Sequence, residues 1–592
     1  MKKILIAAAL LCRPFFPAEA SAPPPHRHTN VPDIIGQVRY LTGAPDEESI
    51  SESELARFID MSERPLKINS LSRSRLLSSG LLSVYQTASL LDYRSRAGDI
   101  LSISELALLD GFGQKFADAL SPFISLESES LPGQAPSRKS RPSGVLEIFQ
   151  NTKGSYPYGD RNDYVCGYSS RLRLIAGTRC EAGISVKSSS YAFSASYCGR
   201  RHLEQIVLGD MSLRFGQGLA LWTGFSVGGF SAERSFWKRP SGISPSYSFS
   251  SASGARGISA ELSFGRAGVS LFAVLPDLRD WDWKGAPVSW ATMPGANVTW
   301  YSRHGQAGVT AYAVSDGRAS KISSDMRFCI RGTELFGEAS YDIKCGKPAV
   351  TAGFMTPLGS KVKTALTLRH IAARYDTWGT APLRMWSGKK GETGIAAGVF
   401  AGGFSLAADM AFREIWSVRQ LKVNAFFPWN MSPETVLSFR LQETLRSYGA
   451  RGRTDLRADL KWTPGKWMTI FRANAVVSQS FSWLAYVEEG YAGRLGAVFL
   501  RGTVFMADSW NDRIYSYERD APGHFNVPAY YGRGWSVSAA GRMKIRWNRR
   551  RFLSGVKLYA RAGFTDCPWP CPGQKKPRPA KSELNFMAKF DF

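Results

Sequence analysis

The chain has 592 residues, 21% of them charged and 12% aromatic, with Lys and Arg outnumbering Asp and Glu by 26. That length is too great for one ordinary soluble core, which stops growing near ~250–300 residues. After the first apolar run no stretch of about 18 apolar residues follows, which excludes a transmembrane helix but not a membrane barrel, where apolar residues are hidden in alternation.

Met1-Lys2-Lys3, the apolar run Ile4–Leu11 and the small residues Ala18, Ala20 and Ala22 read as a cleavable secretory signal over 1–22. A Pro- and His-rich leader occupies 23–32. Residues 33–126 have helical periodicity and are expected to form a small all-α domain. The stretch 127–143, with Pro132-Gly133 and Pro142-Ser143, is rich in turn formers and reads as a linker. Export permits disulfides, but seven cysteines follow the signal, so at least one is unpaired within the chain. Cys567-Pro-Trp-Pro-Cys571 is read as a small disulfide loop or as free thiols, in preference to a metal site.

In the helical region, Gly98–Ile124 holds two short helices around Gly111-Phe112-Gly113, with Ser102 and Glu105 at capping-box spacing. Two glycines allow a sharp turn, and backbone N–H groups at the start of the second helix favour an anion. These residues resemble a helix-hairpin-helix motif. An earlier copy, from Ile68 through Leu77-Ser-Ser-Gly80-Leu81-Leu82 to Arg94, makes the arrangement similar to the tandem domain of the DNA-uptake protein ComEA. In that earlier copy Leu82 replaces the second hairpin glycine, which hinders close approach of a phosphate. The resemblance, over about 64–126, implies double-stranded DNA as a partner, held by Gly111, Phe112, Gly113, Lys115, Gly80, Arg73, Arg75, Arg94 and Arg96. Charge argues against it: residues 33–126 carry nine Lys/Arg and thirteen Asp/Glu, whereas duplex binders present clustered cations. The competing reading is a compact domain that docks on a periplasmic protein.

From 144 to 592 the period changes to two. Leu456, Ala458, Leu460 and Trp462 share one face, with Asp455, Arg457, Asp459 and Lys461 on the other. Trp535, Val537, Ala539, Met543, Ile545 and Trp547 alternate in the same way with Ser536, Ser538, Arg542, Lys544 and Arg546. Such alternation over about 450 residues exceeds what two packed soluble sheets sustain. It predicts a mainly β fold: a large antiparallel transmembrane β-barrel of about 20–24 strands preceded by the all-α domain. Leu584, Phe586, Ala588, Phe590 and Phe592 close the chain on one face, similar to the last strand by which outer-membrane barrels are recognised for insertion. The expected location is the outer membrane of a Gram-negative bacterium, with the helical domain in the periplasm or the lumen. Lipid, lipopolysaccharide and the barrel-assembly machinery are the partners this implies. The whole chain also resembles Gram-negative outer-membrane proteins with the same domain order, through Leu208–Leu219, Asp512–Arg519 and Val527–Gly534.

Net charge on the barrel suggests an anion-favouring interior, or lumen charges that pair off. Gly224-Phe-Ser226-Val-Gly228 spells a nucleophile elbow, but that device needs a strand-turn-helix corner with a histidine and an acid in reach. No HExxH, paired CxxC or phosphate-binding GxxxxGK[ST] occurs, so neither metal nor cofactor is expected. A non-enzymatic barrel for macromolecule passage is the leading expectation, with an interaction barrel second and a barrel hydrolase third.

Overall fold

The computed structural model describes residues 34–127 and 143–592, except for 44–49, 51, 157–162, 177–178, 188–189, 200, 224–228, 248–254, 276–290, 318, 376–378, 387–389, 414–417, 449–451, 494, 523, 525, 547–553 and 575–576. The signal and leader expected over 1–32, most of the linker and the elbow-like Gly224–Gly228 lie outside the described residues.

Among the described residues, 24 strands from Ser143–Tyr156 to Arg578–Asp591 close into one antiparallel barrel. Closure joins the two ends of the β region. The Gly144 amide donates to the Phe592 carbonyl at 2.7 Å, and the Phe592 amide returns a bond to Gly144 at 3.0 Å. The Phe592 ring fills the space that a Cβ at Gly144 would occupy, so the seam depends on that glycine. A four-residue strand, Gly242–Pro245, pairs with the end of Leu203–Arg214, which also pairs directly with Ala255–Phe264. The extra strand therefore lies beside the ring without widening it.

Period-two alternation sets the two surfaces. Val298, Trp300, Val309, Ile322, Leu456, Trp462 and Val537 point outward and are exposed. Their neighbours along the same strands point inward, and there the charges are buried: Lys321, Arg327, Glu338, Arg369, Glu488 and Arg561. This is the inverse of a soluble protein, where charged side chains are rarely buried unless paired. Several of the buried charges are ion-paired. Arg369 donates to Glu392 at 2.6 Å and to Asp409 at 2.7 Å. Asp459 is shared by Arg457 at 2.6 Å and Arg472 at 2.5 Å.

Connections at the end holding Gly144 and Phe592 are mostly short. Gly402-Gly403, both at positive φ, makes a two-residue turn of the kind that strand twist favours. Connections at the other end include three long ones, whose described residues within 215–247, 372–391 and 508–531 fold inward. The first is anchored by one carboxylate. Glu338 accepts the amides of Gln217 at 2.5 Å and of Leu219 and Ala220 at 3.0 Å. Gly216 and Gly218, at φ +58° and +82°, give the chain that wrap, and a Cβ at Gly216 would lie 2.6 Å from the carboxylate. The second segment joins it through Tyr375, whose hydroxyl donates to the Leu219 carbonyl at 2.9 Å, and through the Trp222 amide on the Gly379 carbonyl at 2.7 Å. In the third, Arg519 donates to Glu488 at 2.7 Å, and Glu518 accepts from Arg561. The stretches around Leu208–Leu219, Asp512–Arg519 and Val527–Gly534 thus belong to strand ends and to segments that fill the lumen.

The helical region comprises α1 (Ile34–Thr42), α2 (Glu52–Glu63), α3 (Arg73–Ser78), α4 (Val84–Ala97), α5 (Ile103–Leu108) and α6 (Gln114–Leu120). Glycine turns join α3 to α4 and α5 to α6. The helices bury Val38, Leu41, Phe58, Leu76, Leu90, Phe116 and Phe123 in one core. Asn69 ties the ends of this unit together: its amide donates to the carbonyls of Ile100 at 2.9 Å and Leu126 at 3.1 Å, while its oxygen accepts the Ile100 amide. A full capping box forms at Ser83 and Gln86. At Ser102 only half of one forms, because the Glu105 carboxylate turns to the Leu101 amide at 2.8 Å. The seven described cysteines, Cys567 and Cys571 included, are free thiols.

Candidate functional site: the occupied lumen

A barrel this wide encloses a lumen that water, loops or a plug must fill. The helical unit makes contacts with inward-facing side chains of the wall. Asp60 in α2 pairs with Arg173. Glu63 accepts from Lys557 at 3.0 Å and from Lys589 at 2.7 Å. Lys589 also holds Glu147, at 3.1 Å, on the first strand. Arg73 in α3 lies 4.3 Å over the Tyr301 ring, and Arg75 donates to the Cys198 sulfur at 3.3 Å. Arg39 in α1 sits 5.5 Å from the Phe426 ring. Trp300, Tyr197 and Phe427, which adjoin Tyr301, Cys198 and Phe426 in sequence, are outward and exposed. Tyr301, Cys198 and Phe426 therefore lie on the inward face. These partners are spread around the ring, from the closing seam through Met293–Tyr301 to Arg419–Asn430. The helical unit thus contacts inward-facing side chains near the short-turn end.

Electrostatics favours that seat. Burial alone would raise the Asp60 carboxyl, but Arg173, with Lys589 and Arg64, holds it below the usual carboxylate range. The Tyr85 hydroxyl at the start of α4 is pushed up to about 12, first by burial and then by Cys329 and Asp110. From the opposite side the 215–247 segment reaches the same unit: Arg234 lies 4.2 Å over the Phe116 ring and 4.8 Å over Tyr40.

The residues singled out from sequence separate into two groups. Arg73 and Arg75 face the barrel wall as described. Arg94 donates to the Ile68 and Leu71 carbonyls inside the unit, and burial lowers its guanidinium. Gly80, at φ +68°, lies against the Arg57 guanidinium. Gly111, Gly113 and Lys115 are exposed, while Phe112 is buried in the helical core. The Phe112 amide is used by the Leu109 carbonyl and the Gly113 amide by the Ala107 carbonyl. Lys115 lies 5.1 Å from the Tyr40 ring, and Arg96 pairs with Asp92 at 2.9 Å. Sequence reasoning missed Asp60, Glu63, Lys557 and Lys589. Their only signal was parity: Lys557 and Lys589 sit at charged positions of otherwise apolar alternating strands.

No family model matches the chain, and no curated protein matches it. Among solved structures, Acinetobacter baumannii OccAB4 aligns over 77% of this chain and 100% of its own, at 8% identity and TM-score 0.27. The P pilus usher (PapC) translocation pore aligns over 76% and 99%, at 10% identity and TM-score 0.35. Pseudomonas aeruginosa OccK5 (OpdH) aligns over 76% and 98%, at 9% identity and TM-score 0.27. The architecture is read from this chain's own strand pairing and side chains.

Proposed function

We propose that the chain is an outer-membrane barrel whose lumen is closed by its own N-terminal helical unit, and that it serves passage across that membrane when the unit moves aside. The observation that carries this reading is the inverted surface together with the ion pairs across the mouth. Apolar side chains line the outside, where only lipid spares them the cost of meeting water. Charges line the inside and reach the helical unit through Asp60–Arg173 and Glu63–Lys589. Short turns mark the periplasmic end of such barrels, which supports a helical unit at the periplasmic mouth. Lipid and lipopolysaccharide cover the outer wall, and the final strand ending in Phe592 is the segment for the assembly machinery. The mechanism is non-catalytic: a pull or a charge change at the docked helices opens the path. In planar bilayers the full chain should stay electrically quiet. Reversing charge with Asp60→Lys and Glu63→Lys removes the pairs and sets cation against cation, so long openings should appear. A full chain that conducts as an open pore, or a double variant as quiet as the parent, overturns the reading.

A second reading is favoured by the exposed turn at Gly111, Gly113 and Lys115. On it, duplex DNA or a periplasmic protein engages this turn and draws the unit out. Gel shift of the full chain in detergent at two salt concentrations tests the DNA form. A shift that weakens with salt and falls on Lys115→Glu supports it, and no shift at low salt removes it.

A further inference from the structure

The connection that follows Leu203–Arg214 meets the helical unit with its backbone as well as its side chains. Gly43, one residue beyond α1, has φ +76°, and a Cβ there would lie 2.7 Å from the Arg234 Cβ and 2.8 Å from the Arg234 carbonyl carbon. Only a glycine permits that approach. Arg234 then lays its guanidinium over Phe116 of α6 at 4.2 Å and over Tyr40 of α1 at 4.8 Å. The turn that presents it is itself fixed. The Ser235 hydroxyl accepts the Ser231 and Ala232 amides at 3.0 Å and donates to the Ala232 carbonyl at 2.7 Å. Glu233 accepts from Lys363 at 2.8 Å, at the short-turn end of the strand Val362–Ile371.

Three residues on, the same turn is tied to the connections at the other end. The Lys238 amide donates to the Gln217 side-chain oxygen at 2.8 Å, and the Lys238 carbonyl accepts from the Gln217 side-chain nitrogen at 3.4 Å. The Lys238 ammonium donates to the Ala381 carbonyl. Gln217 is in turn held by Glu338, and Tyr375 holds the Leu219 carbonyl. From Glu338 and Tyr375 to α1 and α6, every step is a hydrogen bond or a direct packing contact. A second limb reaches α2. The Tyr247 hydroxyl donates to Glu181, which accepts from Arg173 at 2.9 Å, and Arg173 donates to Asp60.

We propose that this connection is a coupling arm, which carries a displacement of the outer connections at Gln217–Ala220 and Tyr375 to the helical unit. Whatever shifts those residues from outside weakens the seat of α1 and α6. A pull on the helical unit loosens the outer junction by the same factor, because linkage is reciprocal. The arm deepens the plugged-barrel reading and rests on it, yet it is read by amide exchange, apart from conductance.

The test is hydrogen exchange of the full chain in detergent, followed by peptide mass spectrometry. Glu338→Gln, on the wall and outside the helical unit, should speed exchange of α1 and α6 by about fivefold or more, the low end of usual coupling. Gly43→Ala, at the other end, should speed exchange of peptides covering 216–222 to a similar degree. The strands Gly452–Trp462 and Trp467–Val477 should keep the parent's rates, which shows that the variants fold. Tyr375→Phe removes the bond to Leu219 and should act in the same direction with smaller amplitude; it decides the matter if Glu338→Gln does not assemble. Exchange that rises only around the substituted residue overturns the proposal, and so does a rise shared by the distant strands. A quiet parent with unlinked exchange removes the arm alone, whereas a conducting parent with linked exchange removes the plug and keeps the arm.

Discussion

The two helix pairs of the N-terminal unit share a plan and face opposite surroundings. The α3–α4 pair is docked. Arg73, Arg75 and Tyr85 meet the inward face of the wall, and the Gly80 turn is occupied by Arg57. The α5–α6 pair is open at its turn. Gly111, Gly113, Gln114 and Lys115 are exposed, and Leu108 is 86% exposed. The turn that looks better suited to bind something in sequence is the one the barrel leaves free. The pair whose turn looks degenerate is the one that meets the wall. Leu82, two residues after Gly80, is buried in the helical core, so this turn offers packing in place of access.

Substitutions at the two turns should therefore differ in cost. Gly80 and Gly113 both have positive φ, near +70°, which costs any residue with a side chain roughly 1 kcal/mol or more. At Gly80 a Cβ also comes within 2.7 Å of the Arg57 guanidinium, whereas nothing lies within 4 Å of one at Gly113. Gly80→Ala should cost somewhat more than Gly113→Ala, which should cost about 1 kcal/mol. Thermal unfolding in detergent compares them, and equal costs would erase the distinction between docked and open turns.

Acid should act on the docked side. The Asp60 carboxyl is held below its ordinary value by Arg173, so its stabilising contribution is complete above the unfolded value, about pH 4. It is lost as pH falls through the folded value. Bilayer openings should thus be rare from pH 7 to about pH 4 and increase below it, and Asp60→Asn should show them at pH 7. Openings that increase with rising pH instead would have the wrong sign for this contact.

A smaller effect is expected from the helix cap between the turns. Ser83→Ala removes the bond to the Gln86 amide, 3.2 Å long, and half of the capping box. It should cost about 1 kcal/mol, the usual value of such a cap. The smallest is at the open face. Leu108→Ser should change stability by no more than about 0.5 kcal/mol, as for surface positions without packing. A large loss there would mean that Leu108 packs against something when the protein is in its membrane.

Much of the architecture was legible because side-chain alternation is a local property. Leu456, Leu460 and Trp462 outward with Arg457 inward follow from spacing alone, and the closed ring falls at the upper end of the strand count that length implies. The filling of the lumen was not legible. Glu338 meets amides more than a hundred residues away, and the glycines at 216 and 218 carry no period that announces it. The helical unit's cations were visible in the sequence, but sequence says nothing about which of them faces a wall. Arg73 and Arg75, read as contacts for phosphate, stand against Tyr301 and Cys198. The charges of the lumen likewise divided into pairs such as Arg369–Glu392, a division that only three-dimensional proximity makes.

The seat of the helical unit inside the mouth is tested most directly by chemical cross-linking in native outer membranes. Cysteine placed at position 75 by Arg75→Cys lies opposite the native Cys198 thiol on the inward face of the wall. A short bifunctional thiol reagent should join the two within one chain, and peptide mass spectrometry should find residues 75 and 198 linked in high yield. If both thiols react with a monofunctional reagent yet never become joined, the helical unit does not sit where the contacts at Arg75, Asp60 and Glu63 put it.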